Sequence, residues 1–151
     1  MSDINTKLTQ KEVNDICWNA CDTFRGVIDA SQYKDYILVM LFIKYISDTY
    51  KDRYEHYMQE YGGNIVRVER AMGLERFVLP EESRFDYLYE NRKADNIGEV
   101  IDIGIAALEE ANKVKLEGVF QNIAFNTEKL GETKSRNQIL STLLVDFNNP
   151  R

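Results

Sequence analysis

Two cysteines, Cys17 and Cys21, stand one helical turn apart, a spacing at which two thiolates could share a metal ion. A closed zinc site takes four ligands, and the sole histidine, His56, falls in a distant charged stretch. Reduced thiols in a core are the plainer reading, because cysteine buries readily. Tyrosine is the next group: seven of the nine lie between Tyr33 and Tyr61. Beside Lys44, Lys51 and Arg53, such rings could stack on nucleic-acid bases. At three- and four-residue spacing they also make a packing face with hydroxyls at its rim, or a docking face if nothing in the chain covers it. Arg67 and Arg70 are one turn apart with Arg76 just beyond, and all three could touch phosphate. Glu69 and Glu75 dilute them toward an ordinary solvated surface, and Lys113 and Lys115 read the same way.

The absences narrow the chemistry further. No G-x-G and no G-x-x-x-x-G-K-[ST] occurs, so no phosphate cradle is visible. One histidine supports no convincing histidine-based triad. The carboxylates are many, but no spacing singles out a catalytic pair. The residues by themselves therefore describe a helical domain with no catalytic, cofactor-binding or metal-binding residue to name.

The elements that must carry these groups are helices. Tyr36 to Ile43 is an unbroken apolar run, and Ile43, Ile46, Tyr50, Tyr54, Tyr57 and Tyr61 continue it along one helical face. One helix of about 30 residues, roughly 45 Å long, should end at Gly62-Gly63, where glycine takes the left-handed conformation. Its first half is apolar all round, so neighbours should surround it. Its second half is amphipathic, with Asp48, Lys51, Asp52, Arg53 and Glu55 on the wet side.

The other segments fit around this helix. Thr9 and Glu12 have capping-box spacing, so a first helix starts near Gln10. It presents Val13, Ile16, Cys17, Ala20, Cys21 and Phe24, and closes at Arg25-Gly26. Asp29 with Gln32 can cap the long helix, and the short link makes the two a hairpin. After Asn64 a short helix carries Ile65, Val68 and Met72 to Gly73. Phe77-Val78-Leu79-Pro80 reads as extended, because a residue before proline disfavours the helical region. A helix opening at Pro80 brings in Phe85, Leu88 and Tyr89. Asn96 and Glu99 form a second capping box before Ile97, Val100, Ile101, Gly104, Ile105, Leu108 and Ala111. Val119-Phe120 pairs with Phe77-Val78-Leu79 as a small ribbon. Ser135 and Gln138 open the last helix, with Leu140, Leu143, Leu144 and Phe147 inward. The expected fold is all-α: a helical bundle around one long central helix, with at most that minor two-stranded ribbon.

Whole-chain numbers agree. In 151 residues, 44% hydrophobic and 29% charged, there is material for one globular domain with a core. The net charge of −6 opposes indiscriminate binding to nucleic acid. A local basic patch would still act within a Debye length of about 8 Å. The start carries neither an apolar leader segment nor a basic one, and the longest apolar run is far short of the roughly 20 residues that cross a bilayer. The expectation is a cytoplasmic protein without membrane contact.

One pattern is more specific than these. Ile16-Cys17-Trp18-Asn19-Ala20-Cys21-Asp22-Thr23-Phe24-Arg25-Gly26, then Ser31-Gln32-Tyr33-Lys34 and Leu41-Phe42-Ile43-Lys44-Tyr45-Ile46-Ser47-Asp48, closely resembles the N-terminal helical domain of the methylation subunit of type I restriction–modification enzymes. Phe77-Val78-Leu79-Pro80-Glu81-Glu82-Ser83-Arg84-Phe85, Asn96-Ile97-Gly98 and Leu116-Glu117-Gly118-Val119 follow that family in order. The similarity runs from about Thr9 to the end. It implies a parent that methylates adenine N6 in DNA with S-adenosylmethionine. It also implies a specificity subunit that reads the sequence, a restriction subunit for cleavage, and a catalytic domain that follows this one. The helical domain would then help assemble the complex and close it on DNA.

The sequence departs from the full family in one respect. The methyl-donor site and the asparagine–proline–proline–aromatic motif are missing. Its two prolines, Pro80 and Pro150, are not adjacent, and Asn149-Pro150-Arg151 lacks the second proline and the aromatic. A flipped adenine needs such a clamp. The expectation is one helical domain over residues 1–151, an N-terminal fragment without its catalytic domain. It should use no cofactor itself, while the parent uses S-adenosylmethionine. Lys44, Lys51, Arg53, Arg67 and Arg70 are the candidate nucleic-acid contacts, and Tyr50, Tyr54, Tyr57 and Tyr61 the candidate partner-docking face. The rival expectation is a stand-alone helical protein–protein interaction module with no DNA role.

Overall fold

Thr9 opens the first helix as its spacing predicts. Its hydroxyl accepts the Glu12 N–H while the Glu12 carboxylate accepts the Thr9 N–H, which satisfies two orphan donors. This helix, α1 (Gln10–Phe24), buries Ile16, Ala20 and Phe24 and ends at Arg25, with Gly26 at positive φ. The structure is a computed structural model and describes residues 9–26, 28, 30–120 and 123–148. The expected Asp29–Gln32 cap lies outside the described residues.

The long helix α2 (Ala30–Glu60) has 31 residues, about 46 Å at 1.5 Å per residue. It terminates where the glycine pair predicts. The Gly63 N–H donates to the Met58 carbonyl and the Gly62 N–H to that of Gln59, with φ of 83° and 61°. That pair of bonds is a Schellman turn, which satisfies carbonyls the helix end would otherwise leave free. The chain reverses into α3 (Ile65–Met72), capped by the Asn64 side chain on the Arg67 N–H. Val68 and Met72 are the buried residues of α3, which packs on α2.

The segment after α3 departs from expectation in three ways. First, Pro80 does not open one continuous helix. A 3₁₀ turn at Glu81–Ser83 is followed by extended Arg84 and then by α4 (Phe85–Glu90). The break has a cause: the Ser83 hydroxyl donates to the Gly104 carbonyl at 2.6 Å, and the Phe85 N–H donates to the buried Ser47 hydroxyl at 2.9 Å. Second, no ribbon forms, and no strand occurs among the described residues. The partner of Val78 is a side chain. Asn112 accepts the Val78 N–H and donates to the Val78 carbonyl, both at 2.7 Å, so one carboxamide does what a neighbouring strand would do. Third, α5 (Ile97–Ala111) follows Asn96, but the Asn96 side chain makes no capping bond to the helix backbone. Its amide instead reaches the Glu99 carboxylate at 3.4 Å.

The core forms around α5, whose Ile97, Ile101, Ile105 and Leu108 are buried as their periodicity predicts. Gly104 is buried too, and the 3₁₀ turn lies directly against it. Lys113–Leu116 forms a one-turn helix, α6. The Asp102 carboxylate accepts the N–H groups of Phe125 and Asn126 and fastens the following loop to α5. Burial pushes that carboxyl above its ordinary value, and the two N–H donors oppose the shift. The last helix, α7 (Thr133–Phe147), begins two residues before Ser135, with Glu132 at its cap position. It buries Leu140, Leu143, Leu144 and Phe147. Helix α7 packs against α1, α2, α4 and α5, and Thr23 of α1 donates to Asp146 at 2.6 Å. The result is an all-α bundle without a sheet among the described residues, in which the second half of α2 meets α3, the start of α4 and neighbouring loops.

Candidate docking and nucleic-acid interface

The tyrosine face of α2 is half-buried rather than bare. Tyr50 stacks on Tyr54 with centroids 6.1 Å apart, and Tyr57 on Tyr61 at 5.9 Å. Each pair is four residues apart, so helix geometry alone brings the rings together. Cations then cover the rings. Arg84 lies over Tyr50 and donates to its hydroxyl at 3.0 Å, and Arg67 lies over Tyr61 at 4.6 Å.

Arg53, Tyr57 and Glu75 form a closed network. The Tyr57 hydroxyl donates to the Glu75 carboxylate, Arg53 Nε donates to the same oxygen at 3.1 Å, and the Arg53 guanidinium donates to the Tyr57 oxygen at 3.0 Å. The Tyr57 hydrogen bond, with help from Arg53, holds the Glu75 carboxyl below its ordinary range. The Tyr57 and Glu75 bonds raise the already high value of Arg53. This network ties the loop after α3 back onto α2.

The five candidate phosphate contacts fall into different settings. Lys44 is 8% exposed, and its ammonium sits 3.3 Å from Asp48 and above the Phe85 ring. The structure thus turns Lys44 inward, away from solvent. Asp48, assigned to the wet side by sequence, goes inward with it. Burial raises its carboxyl value and Lys44 opposes the rise. Lys51 pairs with Asp86 of α4 at 2.7 Å, and Arg53 belongs to the network above. Arg67 and Arg70 are exposed on α3. Cys17 and Cys21 are free, half-buried thiols, and burial raises the Cys17 value. Among the described residues no group of three or more His, Cys, Asp or Glu side chains is arranged to hold a metal.

Sequence reasoning misplaced one surface. The first half of α2 is not surrounded: Leu38 is 57% exposed and Tyr45 is 61% exposed. Beside them lie two adjoining cavities. One, of about 420 Å³, is lined by Leu38, Leu41, Phe42, Tyr45 and Thr49 of α2 and by Val13 of α1. The other, of about 320 Å³, lies between α2 and the Met72–Leu79 stretch, with Arg53, Glu75, Arg76 and Phe77 in its wall. Phe42, Tyr45 and Thr49 belong to both. Of the eight consecutive apolar residues from Tyr36 to Ile43 the chain covers all but Leu38 wholly or in part, so the apolar run by itself did not mark which side would stay open.

Comparison with known proteins places this architecture. The family described as HsdM N-terminal domain matches residues 13–147. A type I restriction enzyme MjaIX methylase subunit from Methanocaldococcus jannaschii is 29% identical over 121 residues. That match covers 70% of this chain and 22% of the relative. The crystal structure of the type I restriction-modification system methyltransferase subunit from Streptococcus thermophilus superposes with a TM-score of 0.71 at 22% identity. It covers 93% of this chain and 34% of that one, and shows the same fold. The chain therefore spans about a fifth to a third of the length of these relatives.

Proposed function

The chain belongs to the HsdM N-terminal domain family, and on that premise we propose that it is the N-terminal helical domain of a type I restriction–modification methyltransferase subunit, serving subunit assembly and DNA engagement. The family match over residues 13–147 carries this reading. The methylase subunits named among its relatives support it. The parent polypeptide in this reading is a cytoplasmic adenine-N6 methyltransferase that uses S-adenosylmethionine and acts with specificity and restriction subunits. No methyl-donor motif and no asparagine–proline–proline–aromatic motif occurs in the 151 residues, so donor binding and chemistry belong to another part of the parent. Among the described residues no helix is long and apolar enough to cross a membrane.

The contribution to DNA comes from exposed Arg67 and Arg70, with Lys51 and Arg53 reaching phosphate only by leaving Asp86 and Glu75. Two phosphate contacts give a salt slope near −1.8, hence roughly a tenfold loss of affinity between 50 and 200 mM salt. The stripe Tyr50, Tyr54, Tyr57 and Tyr61 would face a partner largely with its ring edges, since cations already lie over Tyr50, Tyr57 and Tyr61. A reading without DNA gains from the engagement of Lys44, Lys51 and Arg53 with carboxylates. Fluorescence anisotropy with labelled duplex at the two salt concentrations decides between them: no binding at 50 mM removes the DNA role. Calorimetry with S-adenosylmethionine should show no heat, and saturable binding would overturn the assignment of donor chemistry to another domain. Copurification of the parent subunit with its specificity subunit tests assembly, and failure to copurify would remove that role.

A further inference from the structure

The apolar trough on the first half of α2 has a definite shape. The α2 residues that line its second cavity are displaced by about one helical turn from those that line the first, roughly 5–6 Å along the axis. Residues i and i+4 of an incoming helix are separated by the same rise. The shared wall of Phe42, Tyr45 and Thr49 divides the two sockets. Each socket is apolar, and each is large enough for an aliphatic or aromatic side chain.

The rim is charged in one sense. The carboxylate in the second socket, Glu75, is engaged by Arg53 and Tyr57, and that in the first, Asp48, by Lys44. Arg76 and Lys115 lie over Phe77 and Arg84 lies over Tyr50, and none of these three forms an ion pair among the described residues. A chain of net charge −6 thus lines one end of this apolar trough with unneutralised cations. That pattern selects an acidic partner, and it disfavours two copies meeting trough to trough, which would set the same cations against each other. A stacked nucleotide fits less well, because the walls are mainly aliphatic and aromatic carbon and cations already lie over the Phe77 and Tyr50 rings.

We infer that the trough between Leu38 and Phe77 seats an amphipathic helix of another polypeptide through two apolar side chains four residues apart, with acidic residues beside them facing Arg76, Lys115 and Arg84. This rests on the assembly part of the proposed function and names its surface.

The test is titration of the ¹⁵N-labelled 151-residue chain, observed by amide correlation spectra. The probe is a capped 16-residue alanine/glutamine helix with two leucines four apart, flanked by glutamates. Saturable shifts are expected at residues 41–49 and 76–79, with at least fivefold weaker binding when both leucines are alanine. Tyr45→Glu should weaken binding about tenfold. Leu38→Glu serves as a second variant should the first fail to fold. Arg76→Glu should weaken the glutamate probe and restore binding of a lysine-flanked one, a swap that a merely structural role would not produce. The inference is overturned if the leucine and alanine probes behave alike or the shifts fall elsewhere. It is also overturned if sedimentation shows the trough occupied by a second copy, or if a 16-mer of single-stranded thymidylate moves these amides more than the peptide does. The parent's copurification with its specificity subunit keeps the two failures apart. Intact copurification in Tyr45→Glu and Leu38→Glu, with no probe binding, sinks the trough alone. Probe binding without copurification of the wild type sinks the assembly reading alone.

Discussion

Replacing Gly104 by alanine sets helix propensity against packing, and the structure says which wins. In an exposed helix the change would stabilise by about 1 kcal/mol. Here a Cβ at Gly104 would lie 2.5 Å from the Glu82 carbonyl oxygen, 3.4 Å from its carbonyl carbon and 3.5 Å from the Ser83 Cα. The obstacle is backbone, so no side-chain rotation relieves it, and the Glu81–Ser83 turn must retreat by roughly 1 Å. Overpacking of this kind costs about 1–3 kcal/mol. The retreat also stretches the buried Ser83–Gly104 hydrogen bond, worth about 1 kcal/mol. The net expectation for Gly104→Ala is a loss of about 1–3 kcal/mol, seen in urea unfolding, with Tm lower by roughly 3–10 °C. Ser83→Ala in the same background should show strong non-additivity, because the two changes disrupt one contact. A Gly104→Ala protein as stable as wild type, or more so, would refute the close approach of the 3₁₀ turn to α5.

Asn112→Ala removes both bonds to Val78 and a third to the Leu108 carbonyl. It should cost about 1–3 kcal/mol and speed hydrogen exchange at the Val78 amide, whereas unchanged exchange there would deny the carboxamide its role. Tyr57→Phe removes the first cause of the depressed Glu75 value, so the carboxyl should titrate closer to its ordinary range by carbon-detected NMR. A group held below its unfolded value stabilises above that value and loses the effect as pH falls through its folded one. The deficit of Tyr57→Phe should therefore be largest near neutrality and vanish in acid; a pH-independent deficit would count against the network. Lys44→Met leaves Asp48 without its cation in a largely buried setting. It should destabilise by about 2–3 kcal/mol at pH 7 and less at pH 4, where Asp48 can be neutral; equal loss at both would remove the ion pair as the cause.

Much of this architecture was legible because it is local. Thr9 and Glu12 act within four residues, and Gly62-Gly63 ends a helix by its own backbone freedom. The stripe from Ile97 to Leu108 is periodic enough to survive one glycine. The errors came where a distant group decided. Ser47 and Gly104, far along the chain, break the segment after Pro80 into two pieces. Asn112 replaces the strand expected at Val119, and no spacing reveals that a side chain will do so. Lys44 was read as a base-side cation because aromatic Phe42 and Tyr45 stand close to it in sequence. Its place inside an apolar run with Asp48 four residues on was the signal for burial. Of the candidate interface, the Tyr50–Tyr61 stripe was visible as periodicity, but Arg67 and Arg84, which cover two of its rings, come from outside α2. Glu75 and Arg84 could be matched to Tyr57 and Tyr50 only once the chain was folded.

The carboxamide that grips Val78 also bears on how the protein keeps company with its own kind. An extended stretch with vacant backbone groups templates further strands, and natural proteins guard such edges by charge, by bulges or by cover. Phe77–Leu79 is apolar, lies outside the helices and is partly open to water, a combination that favours aggregation when left unguarded. Asn112 occupies the donor and the acceptor of its middle residue, so this helical protein closes a place where a stray chain could begin to add.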